Sequence, residues 1–120
     1  MEFEFTIHKN YIEISTEGNA DKDSSMAMAK ALTDKMRNNK IKRALIDHSN
    51  LDSVIGSVFD IYDRPKILRI IGAILGIKIA EIVKPEHRDH FKFLETVFIN
   101  QGYQFQLFSK KDQAIKWLLS

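Results

Sequence analysis

The residues that could carry chemistry are few. Four histidines, at positions 8, 48, 87 and 90, supply the groups best suited to acid–base work and metal ligation near neutral pH. His87 and His90 stand three apart and would share a helix face, with Glu86 and Asp89 beside them. Structural zinc takes four ligands, and catalytic zinc takes three with one open position. The chain offers no second pair at a recognisable ligand spacing. The expectation is no metal and no cofactor, with these residues forming a solvated helix start whose carboxylates answer the helix dipole.

Asp47, His48 and Ser49 have the residue types of a hydrolytic triad. Neighbours on a strand point to opposite faces, however, and a working triad needs contacts through space, so no catalytic residue is expected. Asp47 with Asp60 and Asp63 would suit a phospho-acceptor receiver, but the first strand ends in Ile7-His8 without an acidic pair to hold magnesium. Lys35, Arg37, Lys40, Lys42 and Arg43 crowd one stretch, a pattern that raises nucleic-acid or anionic-membrane binding. Cations at a helix C-terminus are favoured by the dipole in any case, and Asp34 dilutes the field, so a solvated helix end is expected and no nucleic-acid partner. No GxxxxGK loop occurs, which removes support for nucleotide hydrolysis.

These groups sit in an ordinary globular composition. The chain has 120 residues, with 18 Lys+Arg against 16 Asp+Glu, so its net charge is +2. That length allows one domain over residues 1–120, and 44% hydrophobic residues supply its core. The absence of cysteine removes disulfides and thiol catalysis and fits a reducing compartment, so a cytoplasmic protein is expected. Acidic Glu2 and Glu4 follow Met1 where a secretory signal would be basic and then apolar. The most apolar stretch, Ile67 to Val83, is interrupted by Arg69, Lys78 and Glu81. Each such charge costs about 2.5–3.5 kcal/mol at a bilayer centre, so no transmembrane segment is expected.

The elements that must position these residues follow from periodicity. Phe3 to Ile7 and Tyr11 to Ser15 alternate apolar and polar across a short polar break, the pattern of a β-hairpin, and Gly18-Asn19 ends the unit. Asp21 or Asp23 can cap a helix from Ser24 to Asn38, whose apolar stripe is Ala27, Met28, Ala31, Leu32 and Met36, with Asn38-Asn39 suited to its left-handed stop. Ala44-Leu45-Ile46, ending in Asp47, reads as a central strand. His48 to Arg64 reads as a loop passing into a short helix, and Pro65 opens a second helical piece from Lys66 to about Ala73. Ile77 to Val83 is the next strand. Pro85 marks a helix start, with Phe91, Leu94, Val97 and Phe98 as its stripe and Gly102 as its stop. Tyr103 to Leu107 alternates as a strand, and Ser109 with Asp112 resembles a capping box opening a last helix that carries Trp117 as a core anchor. The order predicts an α/β fold: an N-terminal hairpin, then alternating helices and parallel strands, with helices packed on a mixed sheet of about five strands.

Three segments carry a family resemblance. Ala44-Leu45-Ile46-Asp47 precedes a Ser/Asn/Asp loop, and Lys78-Ile79-Ala80-Glu81-Ile82-Val83 follows later. The most specific part is Phe93-Leu94-Glu95-Thr96-Val97 through Asn100-Gln101-Gly102-Tyr103, then Leu107-Phe108 and Gln113-Ala114-Ile115-Lys116-Trp117-Leu118. Over nearly its whole length the chain resembles the small bacterial STAS-like proteins with a SpoIIAA-like fold. Their superfamily includes anti-sigma factor antagonists, and more distant relatives of similar shape carry apolar ligands in the manner of CRAL-TRIO domains. The antagonists switch through a Ser or Thr in a motif such as Asp-Ser-Ser-Gly. Here the matching stretch is Leu51-Asp52-Ser53-Val54-Ile55-Gly56-Ser57, in which Val54 and Ile55 depart from the motif.

The resemblance implies a non-catalytic regulatory or protein-interaction module, partnered by a regulatory protein such as an anti-sigma-like kinase. Ser53 and Ser57 are its candidate phospho-switch residues, each at a helix start, and Ser49, Asn50, Asp52, Phe59, Asp60 and Tyr62 its candidate partner or ligand surface. The alternative is a binder of a lipid or other apolar small molecule, motivated by Val54, Ile55, Val58, Phe59, Ile61, Ile67, Leu68, Ile70 and Ile71 in a segment also rich in polar breaks. A homodimer is compatible with either reading.

Overall fold

Five strands form one mixed sheet in the spatial order β1-β2-β3-β4-β5, so that sequence neighbours are also neighbours in space. The computed structural model describes residues 1–54 and 76–120. The hairpin is β1 (Glu2–Ile7) and β2 (Ile12–Ala20), followed by α1 (Lys22–Asn39) and β3 (Arg43–Val54). After the undescribed residues come β4 (Lys78–Ile82), a 3-10 turn at Pro85–His87, α2 (Arg88–Asn100), β5 (Gln104–Phe108) and α3 (Lys111–Leu118). Strands β1 and β2 pair antiparallel, while β2 with β3, β3 with β4 and β4 with β5 pair parallel. The expected hairpin, parallel run and central placement of Ala44 to Asp47 are all present. The expected short helix before Arg64 and the piece from Lys66 to Ala73 lie outside the described residues.

Helix α1 starts where local chemistry dictates. Asp21 accepts from Ser24 N at 2.8 Å, while its own N–H donates to Ser24 Oγ at 3.1 Å, a reciprocal cap. Its buried stripe is Met28, Ala29, Leu32, Thr33 and Met36, rotated from the expected one because Ala27 faces solvent. The left-handed stop falls on Lys40, at φ 54°, and not on Asn38 or Asn39. Helix α3 lacks the expected capping box: Lys110 is its N-cap residue and makes no side-chain cap bond.

The larger core lies between the sheet and α1 with α2. It joins Ile12 and Ile14, Met28, Leu32 and Met36, Ala44 and Ile46, Ile79, Phe91 and Phe98, and Phe105 and Leu107. Among the described residues the other face is covered by α3, through Leu45, Ala80, Ile82, Ala114 and Leu118. Strands β3 and β4 are thus buried on both faces, as parallel strands require. Strand β5 is an edge, and Glu95 of α2 blunts it by accepting the Leu107 N–H at 2.7 Å.

Two strands run longer than expected. β2 continues through Gly18, whose φ of 90° suits glycine, to Ala20. β3 continues through the stretch expected as a loop, because two register shifts accommodate it. Ser15 pairs with Asp47 but Glu17 with Asn50, and Gly18 pairs with Leu51 but Asn19 with Ser53. Each shift inserts one extra residue into β3, and each such bulge restores an apolar side chain to the helix-covered face. Leu51 is thereby fully buried and Val54 packs against the same cluster as Ile46.

Trp117, expected as a core anchor, is half-buried at the rim of the smaller cluster, tilted against Phe108 at 5.7 Å. Phe98 is 1% exposed and stacks on Phe105 at 5.1 Å between ring centres. Phe98→Ala should therefore cost about 3–5 kcal/mol in urea unfolding, the usual range for a buried aromatic. Trp117→Ala should cost clearly less; equal losses would mean that the smaller face carries as much of the fold as the larger one.

Candidate functional site

Strands β2 and β3 carry three polar clusters, and strand alternation decides which face each one serves. Asp47 and Ser49 lie on the α3 side, where Ser49 N and Oγ donate to Asp47 Oδ1 at 2.9 and 2.5 Å. His48 points the other way, so the adjacent Asp47, His48 and Ser49 make no triad, as alternation requires.

On the helix-covered side His48 joins two residues far apart in sequence. Thr16 Oγ1 donates to the Asp47 main-chain oxygen at 3.2 Å, so we assign Nδ1–H of His48 as the donor to the same hydroxyl oxygen at 2.6 Å. His48 Nε2 lies 2.8 Å from Glu81 Oε1. Thr16, His48 and Glu81 are 2%, 3% and 1% exposed. The connectivity of hydroxyl, imidazole and carboxylate is that of a triad, but the hydroxyl is sealed from solvent and offers no attack on a substrate carbonyl. The chain instead gives a partner to each of three buried polar side chains that would be costly to bury alone, and among the described residues leaves only the second Glu81 oxygen, Oε2, without one.

Phe91 stacks on His48 at 5.1 Å and meets His90 edge-on at 5.0 Å. The expected solvated helix start at His87 and His90 is corrected here: His87 is buried, and His90 is half-buried. His87 Nδ1, His90 Nε2 and Glu81 Oε2 are buried without a hydrogen-bond partner among the described residues. Burial, helped by the nearby His87, holds the His90 imidazole below its ordinary pKa. Among the described residues no three metal-ligating side chains are placed to hold a metal ion.

The third cluster lies on the α3 side of β2. Glu13 accepts from Lys111 Nζ at 2.6 Å and lies 2.9 Å from His8 Nε2, which stacks on Tyr11. Burial pushes the Glu13 carboxyl up, but the bonds from Lys111 and His8 outweigh it and its pKa falls below the ordinary value. The same bond raises Lys111. Sequence reasoning missed both this cluster and the buried His48 chain. The available signal was Glu81 in a strand whose other core positions are apolar, since a charge in a two-face-buried strand demands a partner.

The expected partner surface is brought together in part. Ser49, Asn50, Asp52 and Ser53 all lie on the second half of β3, displaced to its outer side by the two bulges. The sequence expectation that Ser53 begins a helix is corrected: it is a strand residue whose Oγ donates to Asn19 Oδ1 at 2.6 Å. A groove of about 660 Å³ runs beside it, lined by Glu2, Glu17, Asn19, Asp21, Asn50 and Asp52 among others. Ser57, Phe59, Asp60 and Tyr62 lie outside the described residues, as does most of the apolar segment that motivated a lipid-binding reading.

With this geometry in place, comparison with known proteins identifies the fold. No family model and no curated protein sequence matches the chain. Solved structures do. The anti-sigma factor antagonist SpoIIAA, in its unphosphorylated form, matches at a TM-score of 0.59 and 13% identity over 99% of each chain. An anti-sigma factor antagonist from Mycobacterium paratuberculosis matches at 0.64 and 15% identity, covering 99% of this chain and 94% of that one. An uncharacterised protein with a SpoIIAA-like fold from Shewanella loihica matches at 0.56 and 20% identity, covering 98% and 92%. The chain has the SpoIIAA-like α/β fold. No described helix is long and apolar enough to cross a membrane.

The two titrating clusters should separate in pH. His90 has a folded pKa below its unfolded value near 6.5, so the unfolded chain binds the proton first and stability falls as pH drops below about 6.5. Glu13 has a folded pKa below its unfolded value near 4.5, so its contribution is present above that pH and is lost as the pH falls further. Urea unfolding across this range should show His90→Gln flattening the upper part of the loss and Glu13→Gln the lower part. Parallel curves for parent and both variants would remove these assignments.

Proposed function

We propose that the chain is a non-catalytic regulatory module, a single STAS-like domain over residues 1–120 that binds a regulatory protein as an anti-sigma factor antagonist does, in the cytoplasm. The observation that carries this reading is the position of Ser53. Its hydroxyl is half-buried, engaged with Asn19 across the β2–β3 pair, and placed beside exposed Asp52 on the lip of the acidic groove. Ser49, Asn50 and Asp52 form the rest of the described docking surface. The likeness to SpoIIAA, whose unphosphorylated form is one of the matched structures, supports the same mode of action.

Phosphorylation at Ser53 would act through two changes. It replaces the hydrogen donated to Asn19 with a group carrying about −1.5 to −2 charges at neutral pH, and it sets that charge against Asp52 and Asp21. A partner seated on the groove then meets altered shape and an added field, while the core beneath, held by Leu51, is untouched. Catalysis has no role in this reading, because the hydroxyl–imidazole–carboxylate chain present is closed to substrate.

Ser53→Asp should keep the melting temperature within a few degrees of the parent, since the residue is peripheral to both cores. Its affinity for a purified anti-sigma-type kinase from the same organism, measured by calorimetry, should fall by about tenfold or more, as like charges at an interface cost several kcal/mol. Equal affinity of parent and variant would remove the switch, and no binding of that kinase by the parent would remove the regulatory reading.

A further inference from the structure

At the opposite end of the parallel strands, five cations line one cleft of about 400 Å³: Lys9, Lys40, Lys42, Arg43 and Lys78. No aspartate or glutamate side chain lines it. The topology produces this concentration. Lys9 sits in the turn between β1 and β2, Lys40 and Lys42 in the connection from α1 to β3, and Arg43 and Lys78 at the first residues of β3 and β4. Lys78 is only 8% exposed; its Nζ is held by the Ser120 main-chain oxygen at 3.3 Å and lies 4.6 Å from the Trp117 ring centre. Lys9, Lys40, Lys42 and Arg43 have no carboxylate partner among the described residues.

Two features go beyond a solvated helix end. Arg43 and Lys78 are directly opposed in the parallel ladder, and Lys78 is opposed to Gln104. In-register neighbours project to the same face, so a guanidinium, an ammonium and a side-chain amide form one row of donors across three strands. Like charges so placed are destabilising, and an anion between them relieves the repulsion. Lys40, for its part, occupies a left-handed position at φ 54°, where glycine or asparagine is less costly, and Asn38 and Asn39 precede it without taking that place. The backbone bears that strain with an ammonium at the mouth of the cleft. The stem of Lys42 passes over Gly76, 3.8 Å from where a β-carbon would sit.

We propose that this cleft is a binding site for a phosphate-bearing anion. The volume fits a small ligand or a single headgroup, and Arg43 with Gln104 offers the planar donors that phosphate oxygens accept. The site is independent of the Ser53 surface and of the regulatory reading. The phosphate can be carried by a soluble molecule or displayed on a lipid surface, and the two sources are distinguished by the probe.

The test titrates inorganic pyrophosphate into the whole chain by calorimetry at low salt, and in parallel sediments the chain with phosphatidylcholine vesicles containing or lacking phosphatidylglycerol. The variants are Lys40→Gly, Arg43→Gln and, as a control with the same loss of charge outside the cleft, Lys30→Gln. Binding of pyrophosphate in solution, or of anionic vesicles alone, is expected, the first indicating a soluble ligand and the second a headgroup. Lys40→Gly should melt higher than the parent, because glycine relieves the strained φ, and yet bind about tenfold more weakly. Arg43→Gln should lose a similar factor and Lys30→Gln little. A parent that binds neither probe, or variants in the cleft that bind no worse than Lys30→Gln, would overturn the proposal.

Discussion

The structure depends on how β3 keeps an apolar side chain in the helix-covered core along its 12 residues while pairing with a shorter strand. A strand of strict period two would carry Ile46 and His48 toward the helices and then turn Leu51 outward. The two extra residues opposite β2 prevent this, and Leu51 reaches zero exposure. Fully burying a leucine is worth about 1.5–3 kcal/mol, which outweighs the ladder bonds that a bulge disrupts. The same two insertions put Asn50, Asp52 and Ser53 on the outer side. One constraint therefore closes the core and presents the polar surface.

It also explains the buried polar chain. His48 lies inside the first shift, directly after the last in-register residue, Asp47, and still points into the helix-covered core, where an unpartnered imidazole would be expensive. Thr16 lies opposite in β2 and Glu81 one strand over in β4, two residues along from the ladder partner of Ala44, Ile79. Their bonds to His48 span 32 and 33 positions of sequence respectively. Phe91 of α2 closes over the ring. The network thus ties β2, β3 and β4 to α2 at a point where the sheet would otherwise offer only apolar contact.

Much of the architecture was legible because local signals and burial agree there. The hairpin alternates cleanly, Asp21 caps α1 as its residue type suggests, and Gly102 at φ 85° stops α2. The second half of β3 was not legible, because Ala44, Ile46, Leu51 and Val54 are spaced two, five and three apart, which fits neither a strand nor a helix template. The stretch Ser49 to Ser53 therefore reads as a loop until β2 is known to lie beside it. The burial of His48, Glu81 and Glu13 was hidden for a related reason: each is tolerable only through a partner from a distant element, and sequence proximity does not report such pairs. The family resemblance singled out Ser49, Asn50, Asp52 and Ser53 as parts of a loop passing into a short helix, and their place on a strand was not legible.

A net charge of +2 conceals the arrangement of charge along this strand. β3 begins at Arg43 in a cleft lined by cations and ends at Asp52 and Ser53 beside a groove lined by carboxylates. From residue 43 to residue 52 the chain rises roughly 30 Å at about 3.3 Å per residue. The screening length in physiological salt is only about 8 Å, so neither end feels the other's field appreciably. Opposite charges that cancel in composition therefore act in solution as two separate potentials, one at each end of the parallel sheet. Basic residues gather at the amino ends because β3, β4 and the α1–β3 connection all start there, and acidic ones gather where β1 begins and β2 and β3 end. The parallel pairing that brings like ends of strands together is what turns an unremarkable composition into a polarised surface.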